Sequence, residues 1–424
     1  MKGFISMAGL LLLLTSMAFP QTSYKLSLND AINLAVQNNP DILRAQREID
    51  AASGRVLQAG RIPSPEFGIS WNEIPANLNI SNADERDIAI VQEIEFPTKR
   101  TSRIEVAESD KKIARLQLER TRTLVSAQIK KAYYGVLFSQ EIIKSLEGQL
   151  SLLRDFQHLL QSRFEAAASS YLNVIRSKVE IARTTNDLTD AKRESQFLET
   201  QLNLLLGRSG DQAIQLTDTL AYVPLLLNQD SLVVQLLDRS AAFKIAQRTV
   251  SRQQRVLGVA GTSYLPDFSI GLSHQRVAEQ PPFNANNFNG VTTNSLGVQF
   301  GVSVPFWFWQ EPKGQVKEAE ALVEIANVGL AATERRIRAS VANALRAVNV
   351  AEAQLQLFDK SLLADANDIL KTGIDQYRND QIDVLNLLDI YRTYRATRVE
   401  YLRALTNSLV ARAELEAASE QITE

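Results

Sequence analysis

The side chains that carry most protein chemistry are scarce in this sequence. It holds no cysteine, so disulfides, iron–sulfur clusters, thiolate zinc sites, cysteine nucleophiles and a lipid anchor on cysteine are all excluded. Its two histidines, His158 and His274, leave no room for a histidine-based catalytic or metal site. No convergent set of nucleophile, base and metal ligand appears elsewhere, so the sequence points away from an enzyme and calls for no cofactor. The charge balance is near neutral, with a formal net charge of −2, and gives no electrostatic reason to expect nucleic acid. What the chain does must follow from its architecture.

The N-terminus carries one positive charge at Lys2, an apolar run from Ala8 to Leu14, and small residues at Ser16-Met17-Ala18. That is the pattern of a cleaved secretory signal, expected over residues 1–22. Beyond it no apolar run reaches the roughly 18–20 residues of a spanning helix. An exported chain of this kind crosses a membrane only with strands.

The sequence is duplicated. Shifted by 201 positions, residues 45–69 fall on 246–270 with eight identities in 25 positions, among them Ala45-Gln46-Arg47 on Ala246-Gln247-Arg248 and Pro65, Phe67 and Ile69 on Pro266, Phe268 and Ile270. The offset then grows to 212, where Ala107-Glu108 matches Ala319-Glu320. It reaches 213 where Leu172-Asn173 matches Leu385-Asn386. The step from 201 to 212 places about eleven extra residues in one loop of the second copy. The implied division is a first repeat over 23–207, a linker over 208–230 and a second repeat over 231–424.

Each copy reads as helix, strand pair, very long helix and shorter helix. Residues 28–62 have helical periodicity with a break at Pro40, and the following helix runs from Thr98 to about Phe164. A helix of that length spans on the order of 100 Å at 1.5 Å per residue. A break at Ala166–Ser170 leads into Tyr171–Leu206. The second copy is expected to repeat this, with a long helix from Gly314 to Gln376 and a last one from Ile382 to Ala418. In the strands, Phe67, Ile69 and Trp71, then Ile88, Ile90 and Ile94, alternate with other residues. Phe268, Ile270 and Leu272 do the same, and the clearest run is Leu296, Val298, Phe300, Val302, Val304, Phe306 and Phe308. An ordinary half-buried antiparallel sheet shows the same period. The aromatic cluster Phe306-Trp307-Phe308-Trp309 at the strand end, and a long loop on one side only at 276–294, favour membrane strands with interfacial anchors. Four strands cannot close a pore in lipid, so this reading requires an oligomer.

The order of these elements resembles the TolC-like outer-membrane factors over nearly the whole chain, from about Leu26 to Ala418. The residues that carry the resemblance begin with Leu28-x-x-Ala31-x-x-x-Ala35-x-x-x-Asn39-Pro40. They continue with the helix-to-strand steps at Pro65 and Pro266 and with Glu93-x-Glu95-Phe96-Pro97-x-Lys99-Arg100, similar to the heavy-metal, CzcC-like branch. In that branch Gly commonly precedes Lys-Arg, where this chain has Thr98. Tyr377-x-x-x-x-Ile382-x-x-Leu385-x-x-Leu388-Asp389 completes the set, with Asp380 in place of the usual Gly.

The resemblance implies a mainly α fold with membrane β: a homotrimer whose four strands per protomer form a twelve-stranded transmembrane β-barrel, continuous with a long α-helical periplasmic barrel. It implies an outer-membrane exit duct of a tripartite efflux pump or type I secretion system. The partners would be a periplasmic adaptor protein, an inner-membrane transporter and outer-membrane lipid. By the same resemblance, the constriction falls on Asn386 and Asp389, with Asp383 able to join them at the same three-residue spacing, and gate-holding hydrogen bonds fall on Tyr377 and Asn173. The adaptor-docking tips fall on Ala166, Ala167 and Ala168 and on Arg378, Asn379 and Asp380. A soluble periplasmic coiled-coil adaptor or scaffold accounts for the long helices and the targeting segment, but not for two repeated strand pairs with apolar faces.

Overall fold

The computed structural model describes residues 24–72, 85–222, 239–278, 292–358, 362–379 and 381–420. The targeting segment therefore lies outside the described residues, as does Asp380. The elements in chain order are β1 (Tyr24–Leu26), α1 (Leu28–Asn38), α2 (Pro40–Ala59), β2 (Glu66–Asn72), β3 (Glu85–Ile94), α3 (Pro97–Glu165) and α4 (Tyr171–Leu205). They continue with β4 (Ile214–Leu216), α5 (Ala241–Thr262), β5 (Asp267–Ala278), β6 (Thr292–Ser303), α6 (Glu311–Leu357), α7 (Leu363–Arg378) and α8 (Val384–Ser419). No helix among the described residues is long and apolar enough to cross a membrane.

Pro40 separates the first two helices because the residue before a proline is driven out of the α region. Asn39 sits at φ −64° and ψ 126°, and its side chain accepts from the backbone N–H groups of Asp41 and Ile42 to cap α2. The 69 residues of α3 run without a break, as the absence of proline after Pro97 permits.

The second long helix departs from expectation. Instead of one helix from Gly314 to Gln376, α6 ends at Leu357 and α7 begins at Leu363, with wider i→i+5 turns at Phe358 and Leu362. The repeat offset grows by one between Ala344 and Leu385. A single-residue insertion in a helix is accommodated by widening a turn. The last strand is also shorter than its alternation suggests. β6 ends at Ser303, and residues 306–310 form a turn, because Pro305 has no N–H to give to a ladder.

The chain divides into two compact units, each drawing on both halves. One contains residues up to 35, 129–221 and 366–406. Its two-stranded sheet pairs β1 parallel to β4, from Tyr24 opposite Ile214 to Leu26 opposite Leu216. The fully buried Tyr133 ties it down, its hydroxyl lying 3.0 Å from the Leu26 carbonyl and 2.8 Å from the Asp218 carboxylate, which also accepts from Leu28 N–H.

The other unit contains 36–128, 222–365 and 407–424. Its antiparallel sheet has the order β2-β3-β5-β6, so the central pair joins the two halves of the sequence. Register fixes two chemically distinct faces. Phe67, Ile90, Leu272 and Val298 form one row, and Ile69, Ile88, His274 and Leu296 the next. With Ile94, Phe268, Val302, Ile270 and Phe300 these residues make a mainly apolar face, broken by His274 and by Gln92 beside Ile270, and its large hydrophobic side chains are exposed. The opposite face carries Gly68, Ala89, Ser273 and Gly297 in one row and Ser269 beside Gly301 in another. Added Cβ atoms on Gly297 and Gly301 would run into the hydroxyls of Ser273 and Ser269, so these small residues set how closely that face packs.

Where the sheet becomes helix, polar side chains hold the step. Asp267 accepts from Phe96 N–H at 3.1 Å and from the Lys99 ammonium at 2.7 Å. Arg103 donates to both oxygens of Glu95, at 2.6 and 2.8 Å, and Arg100 donates to the Gly60 carbonyl. In the same unit Glu420 accepts from Arg120, Ser240 and the N–H of Ala242, closing the end of α8 onto the start of α5.

The hydrogen bond from Arg103 holds the Glu95 carboxyl below the usual carboxylate range. A depressed carboxylate stabilises above its unfolded pKa, and that contribution is lost as pH falls through the folded value. Glu95→Gln is therefore expected to cost about 1 kcal/mol at neutral pH for this partly exposed pair. It should also shrink the loss of stability on acidification, as read by thermal unfolding across the acid range.

Candidate functional site

The candidate residues of the two helical turns and of α8 collect in the unit that holds the end of α3, the start of α4, the end of α7 and the start of α8. The turn after α3 closes with a tight set of backbone bonds: Ala167 N–H to Phe164 C=O at 2.9 Å and Ala168 N–H to Arg163 C=O at 2.7 Å. They require Ala167 to adopt φ 57°, the left-handed region that favours glycine. The same pair of bonds ends α4, and there Gly207 takes the left-handed position at φ 70°. At the first turn an alanine therefore bears a strain of roughly 1 kcal/mol. Ala166, Ala167 and Ala168 are all exposed, and Ser170 caps α4 by accepting from Leu172 N–H. At the other turn Arg378 and Asn379 are exposed, and Gln381 N–H bonds back to Gln376 C=O at 2.8 Å.

Between these turns lies an apolar cluster of Leu153, Leu160, Val174, Tyr377, Val384, Leu387, Leu388 and Tyr391. The Tyr377 ring packs edge-on to Phe156 at 5.0 Å and lies under the Arg163 guanidinium, also at 5.0 Å. Arg163 in addition donates to the Arg378 carbonyl at 3.1 Å, joining the end of α3 to the end of α7. Gly373 permits α7 to approach α8, because a Cβ there would meet Ile390 at 2.9 Å. A cavity of about 400 Å³ lies among Leu152, Phe156, Leu370, Ile374, Leu387 and Tyr391. Burial pushes the Tyr391 phenol up.

Asp383, Asn386 and Asp389 are exposed together at the start of α8, spaced so that they share one side of the helix. Asp383 also accepts from Asn386 N–H at 2.8 Å, so it serves as the cap of α8. Asn173 is half-buried, and its amide donates to Ser169 within its own turn at 3.3 Å. The structure thus brings the three α8 residues together and places Tyr377 in the apolar cluster, while Asn173 serves the local turn of α4.

Two ion pairs that sequence reasoning did not identify tie α4 to α8. Arg392 donates to Glu180 at 2.8 Å, and Arg395 donates to Asp187. The Glu180 side chain is only 7% exposed, whereas that of Arg392 is 52% exposed. The signal was present as acids seven apart on one helix facing arginines three apart on another, but their partners lie some 200 residues away. Breaking the pair by Arg392→Gln leaves a buried carboxylate without its cation. The expected cost is about 3 kcal/mol, the low end of the range for buried pairs because Arg392 is half in water. The check is denaturant unfolding followed by helical circular dichroism, with Glu180→Gln/Arg392→Gln recovering part of the loss.

The four aromatics Phe306, Trp307, Phe308 and Trp309 are exposed in the turn after β6, with edge-on contacts from Trp309 to Trp307 and to Phe308 at 5.2 Å.

The sequence pattern of the outer membrane efflux proteins matches residues 31–208 and 232–419. The cobalt-zinc-cadmium resistance protein CzcC of Cupriavidus metallidurans is 24% identical over 380 residues, covering 90% of this chain and 86% of that protein. The outer membrane protein TolC of Vibrio cholerae is 20% identical, covering 89% and 88%. Among solved structures, the transmembrane channel CusC superposes with a TM-score of 0.74 at 16% identity over 94% of each chain. A membrane protein from Pseudomonas aeruginosa does so with 0.73 at 19% identity over 92% of each.

Proposed function

The chain belongs to the outer membrane efflux protein family, and from that premise we propose how it works as the outer-membrane exit duct of an efflux pump. The observation that carries the reading is the open four-stranded sheet with one predominantly apolar, exposed face. Three copies would supply twelve strands and close a barrel with that face toward lipid. Phe306, Trp307, Phe308 and Trp309 then sit at the periplasmic interface as anchors. The helical part extends into the periplasm toward an adaptor protein and an inner-membrane transporter, with the turns at Ala166–Ala168 and Arg378–Asp380 as the docking tips. The two sequence repeats, 23–207 and 231–424, would each provide one strand pair to the barrel.

Such a duct performs no catalysis; its selective element is a constriction. Asp389 with Asn386 and Asp383 on the exposed side of α8 would form that ring in the trimer, and Tyr377 and Asn173 would help hold the neighbouring helices. Charge on the sheet supports a preference for cations. Every acid in the strands, Glu66, Glu85, Asp87, Glu93 and Asp267, lies on the face opposite the apolar one. In a closed barrel that face lines the pore, and rings of carboxylates favour cations. The cobalt, zinc and cadmium named for CzcC fit such a lining, and we infer small cations as the substrate class.

The test is to extract the protein from membranes with detergent, measure its native mass, and record its conductance in planar bilayers. The expected result is a heat-labile species of three protomers that passes K⁺ in preference to Cl⁻. Asp389→Asn should reduce that preference several-fold while leaving the oligomer intact. A monomer released without detergent, or an anion-selective pore, overturns the reading.

A further inference from the structure

The apolar chamber of about 400 Å³ among α3, α7 and α8 adjoins a second one of about 360 Å³, and Leu152, Leu370 and Tyr391 line both. The second chamber is polar. Ser145, Gln149 and Tyr394 line it, together with Glu141, Lys144 and Arg398. Every residue around the two chambers belongs to one compact unit of one protomer.

Polar atoms in these walls lack hydrogen bonds. Gln149 is 5% exposed; its amide nitrogen donates to Ser145 Oγ at 3.3 Å, while its Oε1 has no partner among the described residues. Tyr391 is equally buried, and its hydroxyl has no partner among them either. Leaving such atoms unpaired is costly, and native interiors seldom do so. The charges in the polar chamber are already engaged, Lys144 with Glu141 at 3.8 Å and Arg398 with the ring of Tyr401. What remains to be matched is a neutral acceptor, Gln149 Oε1, and a neutral donor, the Tyr391 hydroxyl. The α3 wall also leaves room beside them. Gly148 lines the polar chamber, and a Cβ added there meets no atom within 4 Å.

We propose that the adjoining chambers form a binding site for a small amphipathic molecule with a neutral head that both donates and accepts a hydrogen bond, as an alcohol, phenol or amide does. Its apolar body lies among Phe156, Leu370, Ile374 and Leu387, and its head reaches Gln149 and Tyr391. Chambers of this size fall within the roughly 300–1,000 Å³ of small-molecule sites. A partner helix, about 10–12 Å across with its side chains, is too wide for them. A charged head is disfavoured, because it would leave water for walls that offer it no free counter-charge. Leu387 and Leu388, between Asn386 and Asp389, both line the apolar chamber, so occupancy braces the turn of α8 that presents the proposed constriction. Only that effect rests on the duct reading; the site itself lies within one protomer.

The test uses the detergent-extracted protein with 4-butylphenol as probe and butylbenzene, the same body without the head, as control. Titration calorimetry and hydrogen exchange are run in one fixed detergent, so that partition into the micelle is common to every variant. Butylphenol is expected to bind saturably and to slow amide exchange in 141–159, 370–378 and 387–398, the segments that line the chambers. Butylbenzene should bind roughly tenfold more weakly, the loss expected for buried hydrogen bonds to its head. Tyr391→Phe and Gln149→Leu should each bring butylphenol toward the butylbenzene value. Gly148→Leu fills the polar chamber while removing a glycine that weakens α3, so it should keep its helical circular dichroism and lose butylphenol binding. No saturable binding, protection confined to other segments, or unchanged binding in Gly148→Leu overturns the site. Equal affinity for the two probes overturns the assignment of the head. A monomer released without detergent removes the duct reading instead, and the same titration then decides the site in that monomer.

Discussion

A β-sheet whose one face is apolar cannot stay open in lipid. Backbone N–H and C=O groups at its edges find no water there, and each orphaned group costs several kcal/mol. In this chain β2 and β6 are the edges of a four-stranded sheet, and the mainly apolar face extends across all four strands. Most of what is distinctive about the protein follows from that requirement. The sheet has to be completed by copies of itself, so the strands must twist, tilt and end in a way that three copies can share. The small residues on the opposite face, Gly271, Gly297 and Gly301 among serines, leave space on the inside of such a closure. Large residues there would meet their cross-strand neighbours before the sheet could curve.

The step from strand to helix has to transmit that geometry, and its polar contacts are correspondingly specific. The stretch from Glu95 to Arg103 uses all four charged side chains it contains. Glu95 is held by Arg103, Lys99 and the backbone of Phe96 by Asp267 from the other half of the sequence, and Arg100 by the carbonyl of Gly60. The chain has Thr98 where the related branch commonly has glycine, and the helix starts at Pro97 without any left-handed residue. A glycine is therefore not needed for this turn, because proline at the first helical position already supplies the required φ.

Elements with a strong period were legible from the sequence. The strands of the sheet, the uninterrupted α3, and the breaks at Pro40 and after Glu165 all follow from alternation, proline and small-residue turns. β1 and β4 were not, since three-residue strands carry no period and their pairing partners lie 190 residues apart. The interruption of the second long helix was visible only as a change of repeat offset by one. A widened turn keeps apolar residues on the buried side, so the periodicity runs through it undisturbed. At the candidate site Asn386 and Asp389 were reached through the family resemblance, and only Asp383 was added from spacing. The Glu180–Arg392 and Asp187–Arg395 pairs were not legible, because a charged residue on a long helix looks solvated until its partner is known. Tyr377 shows the converse: a residue singled out for its hydroxyl has its ring fixed by Phe156 and Arg163.

The separation of charge across the sheet links the two environments that the strands must face. Side chains alternate with period two, so a strand of ten or twelve residues can send its acids one way and its cations the other without any change of fold. A random placement of five acids and two arginines on these strands has little chance of such sorting. Near-neutral overall charge therefore conceals a sorting of charge between the two faces, with carboxylates on the small, polar face and guanidiniums on the apolar one. In a closed barrel the low-dielectric wall would focus the field of the acids into the pore. A substitution that moved one charge to the other face would thus be penalised twice, once by burying it in the wrong environment and once by weakening the preference of the face it left.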